Sequence, residues 1–207
     1  MITRKLRWLG APAALLLAFT LLGASPASAQ TIDVDYDVTG TTTMASTGST
    51  IELGPAVMES RTEADGSFTG DMELPGTRTE FKALGLLPVS ADVSFTATGP
   101  TTGELIRVGR DRVLESTSSY YVQLRNIKVA GLIPMFVGEH CRTKDPVEIP
   151  ANTPDGEFFD IADGGTLTGE YSIGKFQHCG LATGLINLLV PGDGNTVELN
   201  LSNGRLH

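Results

Sequence analysis

Two dipeptides carry the chemically suggestive side chains of this chain, His140-Cys141 and His178-Cys179, and together they hold every cysteine and all but one of the histidines. Two Cys and two His invite a zinc reading. The spacing argues against it: zinc sites of this composition bring their ligands in close pairs two to five residues apart. In extended chain, neighbouring side chains also point to opposite faces, so cysteines that face each other leave both histidines turned away. The simplest outcome in an oxidising compartment is a Cys141–Cys179 disulfide, stabilising by roughly 3 to 4 kcal/mol in the chain-entropy model. No metal is expected. Asp33, Asp35 and Asp37 open like a calcium loop, but such a loop needs Gly at its sixth position and Glu at its twelfth, where Val38 and Met44 stand. The acidic run from Asn152 to Gly165, with Asp155, Glu157, Asp160 and Asp163, could gather a calcium ion but matches no ordered ligand set, and a solvated loop is the favoured reading.

Hydrolytic chemistry finds little to work with. His207 stands near the end of the chain, the other two histidines sit beside cysteines, and no Gly-x-Ser-x-Gly elbow, phosphate-binding glycine loop or His-Glu-x-x-His signature occurs. The expectation is a non-enzymatic protein without a catalytic residue or a cofactor.

The first residues have the three parts of an export signal: Arg4, Lys5 and Arg7, an apolar stretch from Trp8 to Leu22, and Ala27-Ser28-Ala29 before a cleavage point at Gln30. The apolar stretch is short for a membrane-spanning helix, which needs roughly 20 residues. Residues 1–29 are therefore read as a signal peptide and residues 30–207 as a single secreted domain, large enough to bury roughly 70% of its unfolded surface. No membrane span is expected after cleavage. Loss of three basic residues takes the formal charge from −9 to −12. That balance disfavours nucleic acid and anionic membrane surfaces as partners.

Alternation at every second residue runs through the remaining chain. Ile32, Val34, Tyr36 and Val38 share one face and the three aspartates the other; the period returns around Phe68, Val89, Leu167 and Val197. Ala64-Asp65-Gly66 and Gly109-Arg110-Asp111 read as hairpin turns, and Gly99-Pro100 as a break. The fold class is all-β, an antiparallel barrel or sandwich with one short helix in its C-terminal half. That helix is expected over Gly180 to Val190, where Leu181, Leu185, Leu188 and Leu189 recur at helical spacing until Pro191 stops it; its apolar character has it packing on the sheet.

A seven-residue echo stands apart. Lys82-Ala83-Leu84-Gly85-Leu86-Leu87-Pro88 recurs as Lys128-Val129-Ala130-Gly131-Leu132-Ile133-Pro134, and both copies read as sharp bends or sheet-switching corners. The apolar runs through Leu86, Leu87, Leu132, Ile133 and Phe136, with Leu185 and Leu189 of the helix, are denser than alternating strands require. They fill a core or line a site for a small apolar or lipid-like ligand. The competing reading is a structural or protein-interaction module of the cell envelope without a ligand pocket.

Tyr36-Asp37-Val38-Thr39-Gly40, Leu84 to Val89, His178 to Thr183 and Asn187 to Gly192 resemble segments of an uncharacterised family of small secreted β-rich proteins from high-GC Gram-positive bacteria. The resemblance spans nearly all of residues 30–207. It implies an extracellular location and a disulfide, and no activity.

Overall fold

The computed structural model describes residues 31–83 and 86–207; the expected signal peptide lies outside them. Strict alternation builds the strands. In β1 (Ile32–Met44), Val34, Tyr36 and Val38 are buried while Asp33, Asp35 and Asp37 line the outer face. Each aspartate meets a cross-strand partner: the Arg61 guanidinium at 2.7 Å, the His207 ring at 2.9 Å and the Arg205 guanidinium at 2.8 Å respectively. The triad that resembles a calcium loop is thus a solvated strand face, and such exposed pairs contribute little stability.

The chain continues through β2 (Ser49–Thr62), β3 (Ser67–Met72), β4 (Thr77–Ala83), β5 (Leu87–Ala97), β6 (Thr101–Val108) and β7 (Asp111–Val129). Beyond it come β8 (Ile133–Pro134), β9 (Arg142–Thr143), β10 (Val147–Asn152), β11 (Gly164–Ile173), β12 (Phe176–Gln177), helix α1 (Thr183–Leu189) and β13 (Gly192–Leu206). All pairings are antiparallel. Hydrogen bonds run β10-β11-β13-β1-β2-β3-β6-β7, and β10 pairs β7 to close the ring. The architecture is a barrel-like closed sheet of eight strands, not two stacked sheets. A side chain at Gly169 of β11 would run into the Pro150 carbonyl of β10, so glycine there lets β10 cross close enough to join both neighbours.

Strands β5 and β6 follow one edge of β7 in succession. Ala97 pairs Tyr120, Thr102 pairs Thr117, and the break at Gly99-Pro100 falls between them. The long hairpin that results turns at Gly109, as its sequence predicts. β4 pairs β5 on one side and packs beside β2 on the other, with no backbone ladder between β2 and β4 among the described residues. The barrel therefore has two halves. Its lower half is filled by Leu114, Phe159, Leu167 and Leu201, and the Tyr36 and Phe159 rings meet edge to face at 5.6 Å. Its upper half, bounded by the ends of β1, β2, β4, β5, β7 and β11, is covered by α1. Both described ends of the chain lie at the lower pole, where Val34 pairs Leu206.

Cys141 and Cys179 form a disulfide, both fully buried with Cα atoms 4.3 Å apart. The bridge and the β9–β12 pairing tie the approach to α1 onto β7, whose Leu124 N–H donates to the Cys141 carbonyl. The helix differs from its sequence expectation in depth. Ile186 is buried, whereas Leu181 and Leu188 project into solvent. A helix of seven residues offers only two turns, so the sheet can take one stripe of it and the remaining leucines stay outside.

Three tyrosines are buried with their hydroxyls satisfied locally. Tyr36 Oη donates to the Ile161 carbonyl at 2.7 Å, Tyr171 Oη shares a hydrogen bond of 2.6 Å with Thr42, and Tyr120 lies beside Ser118. Burial raises all three pKa values, and that of Tyr36, with Asp160 adding repulsion, reaches about 12. Folding here prefers the neutral phenol. The preference is complete below the ordinary tyrosine range near pH 10 and is lost as pH rises towards the folded values. Stability should fall above pH 10 by up to about 1.4 kcal/mol per pH unit for each such tyrosine. Tyrosinate absorbance at pH 10 should show Tyr36 still protonated, and Tyr120 and Tyr171 less ionised in native protein than in urea, where each is half ionised. Equal titration in both states would contradict this.

Candidate functional site

Beneath α1 lies a cavity of about 150 Å³ walled almost wholly by carbon. Alternation explains its lining. Residues of β5 and β7 that face inward, among them Val89, Ala91, Val93, Val122 and Leu124, form one wall, and Thr79, Phe81 and Ala83 of β4 another. Met44, Ile51, Tyr171 and Ile173 close the sides, and Leu185, Ile186 and Leu189 the roof. Strong apolar character comes from position and not from any special motif: these are core sites at a level where the barrel interior is not filled.

Asn187 fixes the roof. Its Oδ1 accepts from the Phe176 N–H at 2.6 Å and its Nδ2 donates to the Phe176 carbonyl at 3.0 Å, clasping α1 to β12 as a strand partner would. The rim at the β1–β2 turn is held by Asn195, fully buried, which accepts from the Ala45 N–H and donates to the Tyr171 and Gly192 carbonyls. One polar group in the wall lacks any such match. Thr79 Oγ1 is the buried side-chain oxygen without a hydrogen-bond partner among the described residues.

Of the seven residues that the sequence nominates, the structure brings Leu87, Leu185 and Leu189 to the cavity wall. Leu86, Leu132, Ile133 and Phe136 stand outside it in solvent. Local turn geometry is the reason. The two echoed segments are hairpin tips, not sheet-switching corners, and they share one register: Lys82 pairs Pro88 as Lys128 pairs Pro134, and Ala83 pairs Leu87 as Val129 pairs Ile133. In each, the N–H of the exposed leucine returns to the strand end, Leu86 to the Ala83 carbonyl and Leu132 to that of Val129. Ala130 and Gly131 both adopt positive φ, the conformation of a tight primed turn, which throws the next side chain outward.

No family model, curated protein or solved structure matches the chain. The site must be read from its own geometry.

The other polar groups among the described residues are accounted for by local structure. Asp160 Oδ1 caps its own loop by accepting from the Ala162 and Asp163 N–H groups, which lowers its pKa. His140 and His178 are exposed along a polar surface groove in which the Arg142 guanidinium lies 4.1 Å over the Tyr121 ring. No cluster of three His, Cys, Asp or Glu with metal-binding geometry occurs among the described residues. Tyr120 and Tyr121, as neighbours on one strand, face opposite ways: the first is buried and the second lines that groove.

Proposed function

We propose that this is a non-enzymatic binding protein acting outside the cell, with a small apolar or lipid-like ligand seated under α1. The observation that carries the reading is the carbon-lined cavity in the upper barrel. A well-packed core leaves few voids larger than a water molecule, whereas this one, at about 150 Å³, equals an engineered cavity that stays dry and takes up a benzene ring. The void as it stands accepts one ring or a short chain segment. A longer acyl chain would leave between Leu87 and Leu185, which line the cavity and are each nearly half exposed. The buried disulfide supports an oxidising compartment as the place of work.

Native mass spectrometry of protein recovered from culture medium, followed by titration with a fluorescent fatty acid, tests the reading. Retained ligand or saturable uptake is expected, with Ala91→Phe filling the cavity and weakening uptake at least about tenfold. A bare protein that takes up neither fatty acid nor detergent would remove it and leave the protein-interaction module of the envelope, which draws on the exposed rim alone. Thr79→Val adds a chemical detail. Removing an unmatched buried hydroxyl should raise stability by about 1 kcal/mol in ligand-free protein, while lowering affinity for ligands whose polar group pairs with that oxygen. Destabilisation of the ligand-free protein would show that Thr79 already has a partner.

A further inference from the structure

The cavity accounts for the inward half of the apolar sequence runs and leaves the outward half unexplained. Leu86 and Leu132, equivalent positions in the two hairpin tips, are 88% and 86% exposed, and Phe136 is 87% exposed. The tips are neighbours, since the Ala130 N–H donates to the Pro88 carbonyl and Val89 pairs Val129. Phe136 adjoins the start of the helical segment, its carbonyl lying against Gly180, and Leu181 and Leu188 of that segment are exposed as well. Leu86 and Leu188 directly adjoin the cavity-lining Leu87 and Leu189, and Leu132 tips the hairpin that begins at the cavity-lining Val129, so these are not the scattered apolar residues of an ordinary surface.

Charge is distributed to match. The described residues contain four lysines: Lys82 and Lys128 stand directly behind the two tips, and Lys175 and Lys144, joined through backbone, stand beside β12 and the helix. Segments 81–91, 126–138 and 171–192, which carry the rim, contain Lys82, Lys128 and Lys175 and not one carboxylate. Carboxylates border the region at Glu80, Asp92, Glu139, Glu170 and Asp193. The densest acidic groups, Asp33, Asp35, Asp37 and the Asp155–Asp163 loop, gather at the opposite pole, where Tyr36 bonds Ile161. Asp33 to Met44 of the tilted strand β1 separates the poles by roughly 25 to 30 Å. With a screening length near 8 Å at physiological salt, the lower pole is not felt at the upper one. The overall negative charge, which disfavours an anionic membrane when averaged over the chain, is therefore the wrong quantity for this face.

We propose that the leucine-tipped face docks on an anionic lipid bilayer, Leu86, Leu132 and Phe136 entering the interfacial layer while Lys82 and Lys128 meet lipid phosphates. Apolar insertion plus a few lysines is the usual physical basis of reversible membrane attachment. The repeated tip then has a purpose that packing does not give it: two hairpins of one register, each carrying a bare leucine four residues beyond a lysine. Docking sets the cavity mouth against the acyl region. It goes beyond ligand binding and does not need an occupied cavity.

Sedimentation with phosphatidylcholine vesicles, with and without phosphatidylglycerol, tests it on delipidated protein. Wild type should pellet with the anionic vesicles, and added salt should reduce the bound fraction. Leu86→Asp with Leu132→Asp should leave the protein in the supernatant while its thermal midpoint and its fatty-acid uptake in solution are unchanged, because both side chains are exposed. Lys82→Gln and Lys128→Gln should each cost about fivefold in partitioning onto anionic vesicles. Wild type that stays in the supernatant with both vesicles overturns the proposal. So does pelleting that the double aspartate variant retains, or a concentration-dependent dimer that the same variant abolishes in place of vesicle binding. Failure to take up fatty acid with intact vesicle binding would remove the ligand reading alone.

Discussion

Replacing both Cys141 and Cys179 by alanine should lower stability by about 4 kcal/mol and the thermal midpoint by about 10 °C. The bridge closes a loop of 38 residues, and the chain-entropy relation for a loop of that length corresponds to about 4 kcal/mol at room temperature. The loss should not be spread evenly. The crosslink sits where β9, β12 and the start of the helical segment converge on β7, so the roof of the cavity should loosen first. Amide exchange in residues 180–190 should accelerate before exchange in β1 or β13, and the fatty-acid uptake proposed above should weaken even under conditions where the variant remains folded. A thermal midpoint within about 2 °C of wild type would show that the barrel holds the helix without the bridge.

Asn195→Leu, which keeps the number and branching of the side-chain heavy atoms, should cost about 3 to 5 kcal/mol. Three backbone groups depend on one fully buried amide: the Ala45 N–H at 3.1 Å, the Tyr171 carbonyl at 3.1 Å and the Gly192 carbonyl at 3.0 Å. Each group left unmatched in a dry site costs about 1 to 3 kcal/mol, the donor more than the carbonyls. Asn195→Asp separates the contributions. It keeps the acceptor for Ala45 but turns a carboxylate oxygen towards two carbonyls, so the variant should recover stability as pH falls and the carboxyl is protonated. Urea midpoints for both variants, at neutral and mildly acidic pH, decide the matter. A loss below about 1 kcal/mol for Asn195→Leu would mean that solvent reaches the β1–β2 turn.

Much of the scaffold was legible because alternation is a local signal. Val34, Tyr36 and Val38 announce an inward face wherever the strand is placed, and Gly109-Arg110-Asp111 turns the chain whatever follows. Ring closure was not legible in the same way. It depends on Val147 meeting Tyr120 and on Gly169 yielding to Pro150, pairings remote in sequence with no periodic trace. The cavity lining was hidden for a related reason. Phe81, Val93 and Leu124 look like any core residue, and only the spacing between opposite walls makes them line a cavity. The apolar pairs of the echoed segments misled in the other direction: hydrophobicity marks Leu86 and Leu132 as candidates for burial, but the left-handed residues before Leu132 point it at solvent. A single formal charge for the whole chain likewise erased the segregation of its lysines from its carboxylates.

Ile32 and Leu206 leave the barrel beside each other, at the pole away from the leucine tips. A tag, dye or solid support joined at either place would hold the molecule upright with its greasy crown free. Immobilised protein should therefore be as competent as dissolved protein, and a passenger fused there would ride on the far side of whatever the crown touches.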